Sequence, residues 1–343
     1  MIERGKIGKP KRKTRRWGDK EIGEKNKNSL HSPTTRSPDH RHCDSAESKH
    51  SPGMDGMLYL QVLINGILMG GIYGLMALGL SLIFGVLRII NFAHGNLMVL
   101  GMYTAYWVFV LFGIDPYISV VFAAFLMFWI GFLIQKWILN PIVDAPEEMS
   151  FLITLGIGLI IQNLLLMVFG PDYYTVDTSY KLSSFVVWDI SMDVTKLFAF
   201  GASIAITAIF FSFLQWTEIG RAIRAASNNR EAALLMGINV KKIYCIAFAI
   251  GAATVAMAGA CVSTFIPTSQ DVGTLFTLTS FVIVIAGGVG TYYGALVGGL
   301  LIGMVEELGG VLLSGSIKQV VSFSLLMVIL FFRPQGLFGR EGD

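Results

Sequence analysis

The stretch GMLYLQVLINGILMGGIYGLMALGLSLIFGVL, residues 56–87, contains 32 residues between Asp55 and Arg88 and no charged side chain. A helix needs about 20 consecutive apolar residues to cross the hydrocarbon core of a bilayer. Because lipid offers no hydrogen-bond partners, a chain inside it must pair its own backbone N–H and C=O groups, as a helix does. The stretch therefore predicts a membrane-spanning helix.

The same pattern recurs along the rest of the chain. Of the 343 residues, 54% are hydrophobic and 14% are charged, which is too little charge for the surface of a soluble domain of this size. The mean hydropathy is +0.63. Seven further windows of 14–34 residues contain no Asp, Glu, Lys or Arg, and they lie between residues 88 and 115, 115 and 136, 148 and 172, 196 and 218, 242 and 271, 271 and 306, and 318 and 333. We predict an all-α fold, a polytopic transmembrane helix bundle of about eight spans, some of them broken or re-entrant.

The charges divide the chain into two parts. Residues 1–56 hold 14 Lys/Arg and 8 Asp/Glu, a balance of +6, whereas the rest holds 12 and 15, a balance of −3. With few apolar residues, 1–56 is predicted to be a disordered basic tail, either an extension upstream of a natural start near Met54 or Met57, or an arm on anionic lipid. Residues 57–340 form the predicted transmembrane domain. The basic charge of the tail is no evidence for a nucleic-acid partner. We predict no metal site, because the three cysteines are scattered and the chain lacks metal-ligand spacing.

Loop charges predict the orientation. The segment 216–242 carries five basic residues against two acidic ones, and loops rich in Lys and Arg stay in the cytoplasm. The loop 170–196 carries four aspartates against two lysines and is expected outside. Counting simple crossings back from that loop puts the N-terminus outside, whereas the basic tail favours the inside. An extra crossing or a re-entrant break within 80–96 would resolve the conflict.

Glycines at helical spacing indicate close helix packing. Small residues four apart lie on one helix face and let a neighbouring helix approach closely, and two such sets occur: Gly66, Gly70 and Gly74 in the first window, and Gly290, Gly294 and Gly298 in the glycine-rich run 286–303. The run lies inside an apolar window and not between a strand and a helix, which excludes a nucleotide-binding loop. The window 272–305 is expected to be broken or to cross twice.

The cytoplasmic loop 216–242 contains a predicted short amphipathic helix. Asn228 stands three residues before Glu231, close to the spacing of a capping box, and Gly237 suits the left-handed residue that ends a helix. Small and apolar side chains lie between them. Such a helix either inserts into a groove of another protein or lies on the lipid headgroups.

This loop resembles the EAA…G coupling loop of bacterial ATP-binding-cassette importer permeases, with Glu231, Ala232, Ala233 and Gly237 in the matching positions. Four further motifs are similar to those of the high-affinity branched-chain amino acid permeases, namely Ile90–Gly95 (INFAHG), Thr154–Gly156 with Gln162 and Asn163, the run 286–303, and Arg333–Gly339 (RPQGLFG). The general loop ends in Leu-Pro, whereas here Gly237 is followed by Ile-Asn-Val. The similarity covers about 57–340.

The resemblance implies how such an importer is assembled and where this chain contacts its partners. The partners would be cytoplasmic ATPase subunits that bind ATP and Mg²⁺, a second homologous permease subunit, a periplasmic or lipid-anchored solute-binding protein, and the lipid of the bacterial inner membrane. The residues expected to contact the ATPase are Arg221, Arg224, Arg230, Glu231, Ala232, Ala233 and Gly237.

Polar side chains within the apolar windows are candidates for a translocation path, because such groups are costly in lipid and face a cavity or another helix. The candidates are Asn91, His94, Thr154, Gln162 and Asn163. Asn91 and His94 either line a path or form hydrogen bonds with backbone groups that a helix break leaves unpaired. Gln162 and Asn163 are adjacent, so at most one of them points into a shared pore. Glu306 and Glu307 end an apolar run and are expected at the interface.

The chain lacks a GxxxxGK[ST] phosphate loop and any nucleophile–base arrangement, so we expect a transport subunit that is not itself an enzyme and binds no cofactor. The predicted function is translocation of branched-chain or related amino acids. A permease for urea or short-chain amides shares much of the signature and is the nearest alternative. An ion-coupled secondary transporter or channel is disfavoured because the long windows hold few charges, and a membrane anchor would not need about eight spans.

Overall fold

The computed structural model describes residues 52–178, 180–181, 183–187, 190–313 and 318–339. These residues form a helical bundle. Its helices are α1 (Pro52–Leu87), α2 (His94–Phe112), α3 (Pro116–Ile134), α4 (Glu147–Phe169), α5 (Val194–Trp216), α6 (Glu218–Asn228), α7 (Arg230–Leu235), α8 (Val240–Val262), α9 (Val272–Gly287), α10 (Tyr292–Leu312) and α11 (Lys318–Phe332). A π-helical turn, Gln135–Leu139, and a 3₁₀ turn, Asn140–Ile142, extend α3.

Seven of the helices in this part of the chain, α1, α2, α3 with its extension, α4, α5, α8 and α10, are long and apolar enough to cross a membrane. The apolar helices α9 and α11 are shorter. The predicted class, a polytopic helical membrane bundle, is confirmed. The eight charge-free windows correspond to nine helices, because the window 272–305 contains α9 and the first two-thirds of α10.

A short antiparallel hairpin, β1 (Ser184–Val187) and β2 (Ile190–Asp193), lies in the loop between α4 and α5. We call this end of the bundle the hairpin end. The end where α6 and α7 lie is called the loop end. The Nε2 of Gln61 donates to the Oγ of Ser191 at 2.9 Å, and the Oγ of Ser227 donates to the backbone oxygen of Gly85 at 2.6 Å. Helix α1 therefore starts at the hairpin end and finishes at the loop end.

This direction agrees with the count of simple crossings, which puts the start of α1 on the same side as the loop 170–196. Helix α1 begins at Pro52. The predicted tail 1–56 otherwise lies outside the described residues.

Helices α1 and α8 form the centre of the bundle. In the most apolar window of each, 78% and 83% of the residues are buried, compared with 17% in α4 and 22% in α5. The outer helices instead present apolar side chains on their surface, as expected for a face toward lipid or another membrane subunit.

The two central helices are each followed by an irregular segment that re-enters the bundle. After α1, residues 88–93 turn back, and α2 begins at His94, whose Nε2 lies 3.0 Å from the backbone oxygen of Met76, deep within α1. After α8, residues 263–271 precede α9, and the backbone N–H of Gly95 donates to the Oγ1 of Thr277 at 2.9 Å. Helices α2 and α9 therefore meet inside the bundle and leave it toward opposite ends. Of the two alternatives offered for 80–96, an extra crossing or a re-entrant break, the structure has a break, at residues 88–93, and α1 still starts at the hairpin end.

Candidate functional site

The loop 216–242 folds into two helices where the sequence predicted one. Helix α6 is capped by Thr217, whose Oγ1 accepts from the N–H of Gly220 at 2.9 Å. Helix α7 is capped by Asn229, whose Oδ1 accepts from the N–H of Ala232 at 3.0 Å. The prediction that Asn228 caps the short helix was wrong by one residue, because Asn228 is the last residue of α6.

The end of α7 has the geometry that its glycine predicted. Gly237 has a φ of 81°, in the left-handed region. Its N–H donates to the oxygen of Leu234 at 3.0 Å, and the N–H of Ile238 donates to the oxygen of Ala233 at 3.0 Å. A residue with a Cβ is strained in this conformation, so glycine is favoured here.

Helix α7 exposes a small apolar tip outside the spans. Leu235 is 88% exposed and Met236 is 82% exposed, whereas Ala233 is buried against the bundle. Leu234 is also exposed, and Glu231 and Ala232 lie on the surface with it. A protruding apolar tip on a helix held in place from behind has the form of a docking element.

The three arginines assigned to coupling are placed differently. The guanidinium of Arg230 lies 2.7 Å from Asp144 and 5.9 Å from the ring centroid of Tyr244, so it fixes α7 to the bundle. The hydrogen bond to Asp144 raises the pKa of the Arg230 guanidinium. Arg221 forms only a surface pair with Glu218, at 3.7 Å, and Arg224 is half-buried.

Three of the five predicted path residues meet at the first break. The Oγ1 of Thr154 donates to the backbone oxygen of Ile90 at 2.9 Å and accepts from the N–H of Phe92 at 3.2 Å. The Oδ1 of Asn91 accepts from the N–H of Ala93 at 3.1 Å. Asn91, His94 and Thr154 are fully buried. Their hydrogen bonds to backbone replace those lost where the helix is interrupted.

The other two path residues lie elsewhere on α4. The Nε2 of Gln162 donates to Asp271 at 3.1 Å, beside the start of α9. The Nδ2 of Asn163 donates to the oxygen of Leu159 in its own helix at 2.8 Å, and its side chain is exposed. The two adjacent residues face different directions, as their spacing requires.

The breaks contain further buried polar groups that sequence reasoning missed. Six buried side-chain atoms in and beside the two breaks have no hydrogen-bond partner within the part of the chain that the structure describes: Nδ2 of Asn91, Nδ1 of His94, Oδ1 of Asn96, Oγ1 of Thr268, Oγ of Ser269 and Oε1 of Gln270. An unpaired buried polar atom costs about 1–3 kcal/mol, so such groups indicate bound water or a ligand. The run Thr-Ser-Gln at 268–270, inside an otherwise apolar window, was the available signal.

Glu306 was expected at the interface, and the structure shows that it is also buried against other helices. Its side chain is buried, with only 6% exposed, among α1, α10 and α11. The Oη of Tyr73 donates to its Oε2 at 2.9 Å, and the Oγ of Ser322 donates to its Oε1 at 2.6 Å. The carboxyl group thus links three helices.

The glycines of the first set pack α1 against α10. A Cβ at Gly66 would lie 2.6 Å from the Cα of Met304, and one at Gly70 would lie 2.7 Å from the Cα of Leu300. At Gly74 a Cβ would lie 3.2 Å from Leu296.

The second set does not lie on one helix face. Gly290 lies in the turn between α9 and α10 with a φ of 74°, so a helical position for it was wrong. Gly294 and Gly298 pack against α9, and it is Gly299 and Gly303 that meet the glycines of α1.

Long apolar helices around two buried breaks, together with a helix pair that protrudes beyond the spans, define a multi-pass helical membrane protein. The family model described as "Branched-chain amino acid transport system / permease component" matches residues 62–330. The chain therefore belongs to this family of membrane permeases.

Individual relatives are similar over most of their length. The high-affinity branched-chain amino acid transport system permease protein LivH of Escherichia coli strain K12 is 29% identical over 302 residues, 83% of this chain and 96% of that protein. BraD of Pseudomonas aeruginosa, which carries the same description, is 30% identical over 304 residues, 82% of this chain and 96% of that protein. A probable branched-chain amino acid transport permease of Methanocaldococcus jannaschii is 27% identical over 296 residues, 82% of this chain and 92% of that protein.

Proposed function

We propose that this chain is the membrane-spanning subunit of an ATP-driven importer that carries branched-chain amino acids across the bacterial inner membrane. The observation that carries the coupling role is the α7 tip: Leu235 and Met236 are more than four-fifths exposed at 88% and 82%, while Arg230 and Ala233 hold the same helix to the bundle. Family membership supports the transport role.

The energy for transport comes from a partner in this proposal. Cytoplasmic ATPase subunits bind ATP and Mg²⁺, receive the α7 tip in a groove, and move it when they close. A second homologous permease subunit completes the path, and a periplasmic or lipid-anchored solute-binding protein delivers the amino acid at the hairpin end. The movement shifts the bundle between two packings, so no tight internal site is required.

The cargo path in this proposal follows the two breaks. Asn91, His94 and Thr154 at the first break and Gln162 beside the second are the polar groups that the path passes between. The unpaired buried atoms around them can form hydrogen bonds with a passing substrate at the centre of the bundle, where the helices are discontinuous.

The coupling role is tested by Leu235→Glu. Because Leu235 is 88% exposed, the substitution leaves the fold intact, but it puts a charge into the partner's groove. We expect normal insertion, loss of ATPase co-purification and loss of leucine uptake. The matched control is Leu235→Met at the same exposed position, which keeps the tip apolar and should retain ATPase co-purification and uptake. Normal uptake by Leu235→Glu would refute the coupling role.

The cargo is tested with the complex purified with its co-expressed partners in proteoliposomes. We expect ATP hydrolysis to be stimulated by a solute-binding protein loaded with leucine, isoleucine or valine. Stimulation by urea alone would assign the chain to the alternative, and transport without any ATPase partner would refute the ATP-driven mechanism.

A further inference from the structure

A cavity lies at the loop end, between the end of α1, the segment before α4, and the junction of α6 and α7. It encloses about 520 Å³, within the range of about 300–1,000 Å³ typical of small-molecule sites. It is lined by Val86, Leu87, Arg88, Ile89, Val143 and Ala145 on one side, and by Ser150, the run 226–231 and Tyr244 on the other.

Arg88 enters this cavity from a strained backbone position. Its φ is 55°, and among the residues that the structure describes it is the one non-glycine residue in the left-handed region. Its N–H donates to the oxygen of Phe84 at 2.9 Å and so ends α1. The left-handed conformation strains a residue with a Cβ, and glycine would avoid this strain. Backbone strain at a cavity wall indicates a functional role for the side chain.

The second arginine in the wall is already held in place. Arg230 is paired with Asp144 at 2.7 Å, outside the cavity lining. Arg88, an exposed residue of the lining, is therefore the arginine in the wall that is placed to receive an incoming anion. A guanidinium binds a carboxylate through two parallel hydrogen bonds.

The rest of the wall fits the other parts of an amino acid. Glu231 supplies a negative charge for an ammonium group, and Asn228 and Asn229 lie beside it. Val143 and Ala145, both half-buried, supply an apolar surface for an aliphatic side chain. An amino-acid zwitterion with a branched apolar side chain matches the positive charge of Arg88, the negative charge of Glu231 and the apolar surface.

We propose that this cavity binds an aliphatic amino acid from the loop end of the bundle, with its α-carboxylate on Arg88. The inference rests on the proposed amino-acid cargo and extends it to a separate site. A ligand here touches both the end of α1 and the start of α7, so it favours the packing in which the two are close. Accumulated amino acid on the loop side would therefore slow the transport cycle.

The test uses the full chain in nanodiscs and measures leucine affinity by thermal unfolding at increasing leucine concentration, with Arg88→Gly as the first variant. Glycine relieves the strain, so the midpoint without leucine stays equal or rises. Loss of charge-assisted hydrogen bonds weakens leucine binding about 10- to 100-fold. Leucinamide, which lacks the carboxylate, gives no comparable shift, and Arg221→Gln, at an exposed arginine away from the cavity, binds leucine normally.

A second variant, Val143→Trp, fills the cavity while Arg88 remains, and we expect it to abolish the leucine shift. Unchanged leucine affinity in Arg88→Gly would overturn the site, as would displacement of leucine by inorganic phosphate at equal concentration. Such a result leaves the proposed function intact if the full complex still imports leucine. If no branched-chain amino acid is imported, it is the proposed function that fails.

Discussion

Replacing Gly70 by alanine is expected to force α1 and α10 apart. The new Cβ would lie 2.7 Å from the Cα of Leu300 and 3.0 Å from the backbone oxygen of Gly299. Carbon atoms in favourable contact are about 3.5–4.0 Å apart, so the helices must separate by about 1 Å at this point. Both obstructing atoms are backbone atoms, so a change of rotamer cannot relieve the clash.

The magnitude follows from the cost of overpacking, about 1–3 kcal/mol. Alanine also favours a helix over glycine by about 1 kcal/mol, which would hide part of this cost. Gly156→Ala is the matched control, because Gly156 lies within α4 and its Cβ would meet nothing within 4 Å. The gain in helix propensity is common to both variants, so the difference between their free energies of unfolding isolates the clash.

The assay is the free energy of unfolding of the full chain in mixed micelles, titrated with denaturing detergent and followed by far-ultraviolet circular dichroism. We expect Gly70→Ala to unfold more easily than Gly156→Ala by about 1–3 kcal/mol. Gly303→Ala should behave alike, since its Cβ would lie 2.5 Å from the Cα of Gly70. The double variant should cost less than the sum, because one separation of the helices accommodates both methyl groups. Equal stability of Gly70→Ala and Gly156→Ala would refute the close contact.

Three further predictions concern single hydrogen-bonding groups. Asn229→Ala removes the cap of α7, which costs about 1 kcal/mol, and should accelerate amide hydrogen exchange in α7, whereas Asn228→Ala should not. Glu306→Leu leaves the buried Tyr73 hydroxyl without its acceptor, at about 1–3 kcal/mol, whereas the Ser322 hydroxyl can still donate to the backbone oxygen of Lys318. Glu306→Gln keeps an acceptor and should unfold at a higher denaturant concentration than Glu306→Leu. Thr154→Val leaves a backbone N–H at the first break unpaired and should lower the free energy of unfolding by about 1–3 kcal/mol, whereas Thr154→Ser should retain most of the stability.

The membrane class was predictable because it depends on a local property. A window such as 56–87 is apolar over more than the length of one span, so it is recognised as a spanning helix without knowledge of any tertiary contact. The left-handed Gly237 was also predictable, since a glycine after a short apolar helix is typical of a helix end. The neighbouring cap was misplaced because Asn228 and Asn229 are chemically identical, and only the turn between α6 and α7 decides which one caps.

The breaks were harder to locate because their partners are remote in sequence. The segment 88–93 is held by Thr154, and His94 directly after it contacts the backbone oxygen of Met76; neither partner can be deduced from the segment itself. The turn between α9 and α10 lies in a window with no charge to mark it. Its glycines were interpreted as a packing face, yet Gly290 lies in the turn itself, in the left-handed conformation. Glu306 was placed at the interface because it ends an apolar run. Its burial could not be deduced from that run, because its hydroxyl partners, Tyr73 and Ser322, lie in other helices.

The contacts at the loop end explain how a push on α7 could reach the centre of the bundle. Arg230 joins α7 to Asp144, in the segment before α4, and Ser227 at the end of α6 joins to Gly85 in the last turn of α1. The chain continues from that turn through Arg88 into the first break. Thr154 connects the same break to α4. A displacement of α6 and α7 therefore acts on both helices that hold the first break. Because a segment without helical hydrogen bonds deforms at lower cost than a helix, the break is where such a displacement would be absorbed.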